Sequence, residues 1–213
     1  MRFDYPPPPV LPRNHHMKDD YKNLVRRAVA TSTSLGLLSE KNAPTFNSDD
    51  IQEGLIRPIL WEFAEHLHSL GLDSSRLLNG NCIKVHDQLQ AHLLRHGVES
   101  HITIDSMHGQ GWDYCSTSVD ELLAEMADPD PNREIRVHTW LTLNDGSVLD
   151  WTGQAWYDTQ VNENYPAKSC LVYFQQGVQS ETHYYHPVLV GWEYLIRTGS
   201  IRVVPTRWQF GQA

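Results

Sequence analysis

Three side chains in this sequence could share one reaction. Cys82 opens the segment Asn81-Cys82-Ile83-Lys84-Val85-His86-Asp87-Gln88-Leu89, directly after the turn cluster Asn79-Gly80-Asn81. His138 lies in the alternating stretch Arg136-Val137-His138-Thr139-Trp140-Leu141-Thr142-Leu143. Asp150 follows the turn signal Asn144-Asp145-Gly146, in Ser147-Val148-Leu149-Asp150-Trp151-Thr152. A thiol at a helix start sits over unpaired backbone amides, and these, with the helix dipole, favour the nucleophilic thiolate. An imidazole can hold and return a proton near neutral pH, and a carboxylate can fix its tautomer. The three together could carry acyl transfer through a thioester. Asn81 can cap the helix that Cys82 starts, and the Cys82 amide can donate to a developing oxyanion.

Each residue also has an ordinary reading. Cys82 could be an apolar side chain packed at a helix end. The odd positions Ile135, Val137, Leu141 and Leu143 form the apolar stripe of their strand. His138 then shares the other, partly exposed face with Trp140, where a histidine needs no role. The turn decides whether Asp150 reaches it. A three-residue loop with Gly146 in the left-handed conformation pairs Leu143 with Ser147 and Trp140 with Asp150. Asp150 is then diagonal to His138, at roughly 7–8 Å between backbone positions, a gap the two side chains can bridge. A two-residue Asp145-Gly146 loop would put Asp150 on the opposite face.

The surrounding elements are legible from spacing and punctuation. Residues 1–16 carry Pro6-Pro7-Pro8-Pro9 and Pro12 and read as an extended arm. A single α+β domain is expected over 17–213, with helices over about 17–97 and mainly antiparallel strands over about 134–206. Met17, Tyr21, Leu24, Val25, Ala28 and Val29 have helical spacing, and Thr31-Ser32-Thr33-Ser34 should end that helix. Asn47 or Ser48 should cap a helix running to Gly71, kinked or divided at Pro58. Cys82, Val85, Leu89 and Leu93 form the next stripe, ended by Gly97. Residues 98–105 alternate as a strand, 106–116 read as a loop, and Thr117 or Ser118 caps a short helix. The later strands are expected at 134–143, 147–152, 169–176, 187–196 and 200–206.

Bulk properties narrow the function. The 213 residues are 40% hydrophobic and 20% charged, enough for one domain with a real core. The net charge of −9 and the lack of a basic stripe argue against a nucleic-acid partner. Three Cys make an odd number, which suits a reduced compartment, and no Sec-type leader pattern is seen, so a cytoplasmic location is expected. No stretch approaches the ~18 apolar residues that a membrane span needs.

The pieces Gly80-Asn81-Cys82-Ile83, Leu89 to Val98, His138-Thr139-Trp140-Leu141, Asp145-Gly146 and Leu149-Asp150-Trp151-Thr152 resemble the transglutaminase-like branch of the papain-like cysteine enzymes. The resemblance covers about residues 79–152, and the His-Thr-Trp…Asp-Gly…Leu-Asp-Trp-Thr portion is its most specific part. It implies a papain-like fold with Cys82 as nucleophile, His138 as general base and acid, and Asp150 as orienter. Such enzymes often use a polar side chain before the nucleophile as an oxyanion donor, for which Asn79 and Asn81 are the candidates. A protein or peptide substrate is implied, in a protease, amidase, deamidase or transglutaminase-type reaction that requires no cofactor and no metal. Trp112, Trp140, Trp151 and Trp156 could line the substrate groove.

Other signals compete. Cys115, after Trp112-Asp113-Tyr114, is the rival nucleophile, whereas Cys170 reads as core. His92 and His96 have zinc-binding spacing, but no third ligand is specified, so a solvated polar face is expected. His183 and His186 are a second such pair, with a loop edge as the ordinary reading. Phosphate loops, dinucleotide fingerprints and serine-nucleophile elbows are absent from the sequence. A non-catalytic interaction module that keeps the fold is the alternative class.

Overall fold

The computed structural model describes residues 21–46, 53–109, 111–130, 132, 136–175 and 183–201. The expected arm, the Asn47/Ser48 cap and residues 202–206 of the last expected strand lie outside them. Four helices come first: α1 (Tyr21–Ser34), α2 (Glu53–Ser69), the single turn α3 (Ser75–Leu78) and α4 (Cys82–Arg95). Strands β1 (Ser100–Gly109) and β2 (Trp112–Tyr114) follow, then α5 (Val119–Ala127). The chain continues through β3 (His138–Leu143), β4 (Val148–Asp150), α6 (Gly153–Gln160), β5 (Val172–Phe174), β6 (His183–Val190) and α7 (Glu193–Arg197). The architecture is α+β.

The sheet has the order β2-β1-β3-β4-β5, with β6 also paired to β1, and every pairing among the described residues is antiparallel. Because β6 runs along one edge of β1 over residues 103–109, β2 and β3 share the other edge, end to end. That arrangement brings Tyr114, the last residue of β2, beside His138, the first residue of β3.

Both faces of the sheet are covered. On one, Ile56, Phe63 and Leu67 of α2 and Val85, Leu89 and Leu93 of α4 pack against Ile102, Leu141, Leu143 and Leu149. On the other, Tyr21, Val25 and Ala28 of α1 pack against Met107, Trp140, Val148 and Tyr185. Every residue of β3 is therefore buried, which corrects the expectation of a partly exposed His138 face. The alternation in β3 separates two interiors rather than interior from solvent. The second face simply has the more polar lining, with the Tyr21 hydroxyl bridging Trp140 Nε1 and Thr142 Oγ1 at 2.7 Å each.

Several local expectations change for identifiable reasons. Thr31–Ser34 form the last turn of α1, which ends at Ser34 as expected, with the Thr33 and Ser34 hydroxyls bonding back to the Val29 and Thr31 carbonyls. Pro58 lies within one continuous α2, near its start, where the bond it forgoes would reach only to Gly54. Of the expected loop 106–116, Ser106–Gly109 belong to β1 and Trp112–Tyr114 form β2. The expected strand 187–196 is split into the end of β6 and α7, with Gly191 at φ +101° between them. The expected strand 169–176 holds only Val172–Phe174, after a 3₁₀ turn at Ala167–Ser169. His183 and His186 lie within β6 rather than at a loop edge. Ser118 caps α5 through a reciprocal capping box with Glu121.

Candidate active site

The β3–β4 turn builds the first half of the site. Gly146 sits at φ +85°, its N–H bonds to the Leu143 carbonyl at 2.8 Å, and the Leu143 N–H bonds to the Ser147 carbonyl at 2.8 Å. The register Leu141 to Leu149 and Thr142 to Val148 then sets Asp150 opposite Trp140, as expected for the three-residue loop. His138 Nε2 and Asp150 Oδ2 are 2.7 Å apart, both side chains wholly buried.

Asp150 is saturated with donors. Oδ1 accepts from the Thr152 amide at 2.8 Å, the Thr152 hydroxyl at 3.2 Å and the Gly153 amide at 3.1 Å. Oδ2 accepts from the Tyr185 hydroxyl at 2.8 Å besides His138. Burial opposes ionisation, but the charge and hydrogen bond of His138, then His86, hold this carboxyl well below the usual carboxylate range. Burial likewise disfavours imidazolium, yet Asp150, then Cys82, push His138 up to about 10.

Cys82 begins α4 and reaches the same point from the other side of the core. It is 7% exposed, at the floor of a cleft of about 1120 Å³. Burial opposes its ionisation, but the hydrogen bond and charge of His138, with the hydroxyl and amide of Thr139, leave its pKa below the ordinary thiol value. His138 Nδ1 and the Thr139 hydroxyl are buried atoms with no hydrogen-bond partner of regular geometry. With Nε2 engaged by Asp150, Nδ1 is the ring nitrogen left for the thiol. Cys82, His138 and Asp150 thus converge at the head of α4, a nucleophile, a proton carrier and a carboxylate whose order could serve nucleophilic attack and proton return.

Asn81 occupies the N-cap position, but its side chain does not cap α4; Nδ2 donates to the Leu77 carbonyl at 2.9 Å instead. Asn79 Nδ2 donates to Thr159 Oγ1 of α6 at 3.0 Å. Both residues line the cleft, with their amide groups engaged in bracing the turn. Trp140 and Trp151 do not line it. Trp140 is buried behind His138, and Trp151 is core, its Nε1 donating to the Ala167 carbonyl at 2.7 Å. Trp112 is 49% exposed on β2, outside the cleft lining. Trp156 does line it, stacked on Tyr114 at 4.4 Å between ring centres, and Tyr114 lies 5.0 Å from the His138 ring. Trp192, Ile196 and Ile201 form apolar parts of the lining. Cys115 lines the same cleft at φ +58°. Cys170 is core, and burial pushes its thiol up to about 12.

Sequence reasoning missed two supports of Asp150. His86 is buried, with Nε2 3.3 Å from Asp150 Oδ1 and 3.2 Å from the Trp151 amide that donates to it. Its spacing of i+4 from Cys82 was the available signal, because that spacing puts both on one helix face. Tyr185 carried no signal, since only the pairing of β6 with β1 delivers it. The chain matches no family model, and no curated protein or solved structure matches it either.

Proposed function

We propose that the protein is a cysteine-dependent acyl-transfer enzyme of papain-like, transglutaminase-like organisation, acting on an amide bond of a protein or peptide. The single observation that carries this reading is the buried series Cys82–His138–Asp150, in which Asp150 takes one ring nitrogen and leaves the other for the thiol. The Cys82 thiolate attacks the amide carbonyl, forming a C–S bond and an oxyanion near the first-turn amides of α4. Protonated His138 gives its proton to the amine nitrogen as the C–N bond breaks, leaving a thioester. His138 then takes a proton from water or from an incoming amine. Attack on the thioester releases the acid or the new amide and restores the thiolate.

The test is the rate of iodoacetamide labelling at Cys82 across pH, read by peptide mass spectrometry, in the wild type and in His138→Ala. The expected result is fast labelling near neutral pH, with an apparent pKa below the ordinary thiol value that returns toward it in the variant. Slow labelling with an ordinary pKa, unchanged by the substitution, would overturn the proposal and favour the interaction-module reading.

A further inference from the structure

We propose that Glu62, His92 and His96 form a zinc-binding site that clips α2 to α4, separate from the cysteine cleft. The sequence offered only the His pair; the fold supplies the third ligand. Glu62 projects from α2, and its Oε2 lies 3.4 Å from His96 Nε2. Two ligand atoms bound tetrahedrally to one zinc at about 2.0–2.1 Å are roughly 3.3 Å apart, so this edge already has the right length. The His92 and His96 rings are 4.9 Å apart, and one ligand atom from each of the three residues lies within 4.8 Å of the others.

His92 is prepared for the role. Its ring is buried against Phe63, and Nε2 lies 3.1 Å from the Ile59 carbonyl. A carbonyl only accepts, so Nε2 carries the hydrogen and Nδ1 carries the lone pair. A carbonyl that fixes the tautomer of a ligating imidazole is the usual outer support of a zinc site. The one obstacle is Arg95, whose Nη2 donates to Nδ1 at 3.1 Å. Arg95 is exposed, so its long side chain can withdraw to solvent when a cation enters. Two imidazoles and one carboxylate form a borderline donor set suited to zinc, with water completing the tetrahedron. The site lies about 15 Å along α4 from the thiol.

The experiment titrates zinc chloride calorimetrically into metal-free full-length protein, and follows cobalt(II) absorption in parallel. His92 stays unchanged because its ring fills the helix interface; the exposed ligands are substituted instead. Stoichiometric binding is expected, weakened by about tenfold or more in His96→Ala and Glu62→Gln. Arg95→Gln should tighten it, because the competing guanidinium is removed. Zinc should raise the melting temperature of the wild type and leave that of His96→Ala unmoved. The proposal is overturned by no binding at about millimolar zinc. It is equally overturned by an affinity unaffected by His96→Ala, or by a cobalt–thiolate charge-transfer band, which would put the ion on a cysteine.

Discussion

At the scale of the residue, the Tyr185 hydroxyl shows what a buried carboxylate needs. Asp150 is fully buried, so its lone pairs need donors from the protein. Tyr185 supplies one at 2.8 Å, on the same oxygen that holds His138. Tyr185→Phe keeps the ring and deletes that donor. Chemical denaturation should show a loss of about 1.5–3 kcal/mol, the range for hydrogen bonds to charged groups. Iodoacetamide labelling of Cys82 should slow at pH 7. An unchanged denaturation midpoint would mean that Asp150 does not depend on this bond. His138 has a pH signature of its own. Its folded pKa of about 10 exceeds the ordinary 6.5, so its contribution to stability is complete below pH 6.5 and fades as pH rises through 10. The melting-temperature gap between wild type and His138→Gln should therefore be largest at pH 6 and shrink steadily toward pH 10. A gap that widens with pH would reverse the assignment of charge.

At the scale of the element, the strand-to-helix junction after β4 is built without room. A methyl group on Gly153 would run into Asp150 Oδ2 and would come within 2.5 Å of Met107 Sδ. The glycine also places its amide against the carboxylate it must not crowd. Gly153→Ala should cost about 1–3 kcal/mol through overpacking, and should slow labelling of Cys82 by displacing Asp150 from His138. Gly36→Ala, at a turn with open space around it, is the control for a general glycine effect, although its φ of +65° carries a local strain of its own. How far the elements could be read from sequence follows the range of the forces that make them. The β3–β4 register was legible because Asn144-Asp145-Gly146 fixes it within a few residues. The start of α4 was legible from its turn and stripe, but the Asn81 cap was not, because Leu77 and Asn79 carbonyls compete for the side chain. Helix α6 and the split of β6 from α7 escaped because short segments with mixed apolar spacing fit either period. The burial of His138 escaped because residues distant in sequence cover that face, Tyr114 and Tyr185 around His138 and α1 over Trp140.

At the scale of the whole molecule, α1 is the element that makes the interior two-sided. The Tyr21 hydroxyl satisfies the Trp140 indole and meets Thr142, and Thr142 meets Thr103 at 2.7 Å, forming a buried polar seam behind His138. Tyr21→Phe would leave the Trp140 N–H without its partner and should destabilise the fold by about 1–3 kcal/mol. Urea unfolding measures the loss, and a change below about 0.5 kcal/mol would mean that the seam re-forms around the gap. No helix among the described residues is long and apolar enough to cross a membrane.

The hairpin of β3 and β4 carries both the imidazole and its carboxylate within thirteen residues, whereas the thiol arrives on a helix more than fifty residues earlier. Contacts so close in sequence close rapidly, while the docking of α4 onto the hairpin awaits the non-local core. If the proposed site is right, the chain would emerge during synthesis with an ordinary thiol. On the proposed reading, reactivity at Cys82 would switch on only when assembly is complete, so the same atom that would do the chemistry would also certify that the protein has finished folding.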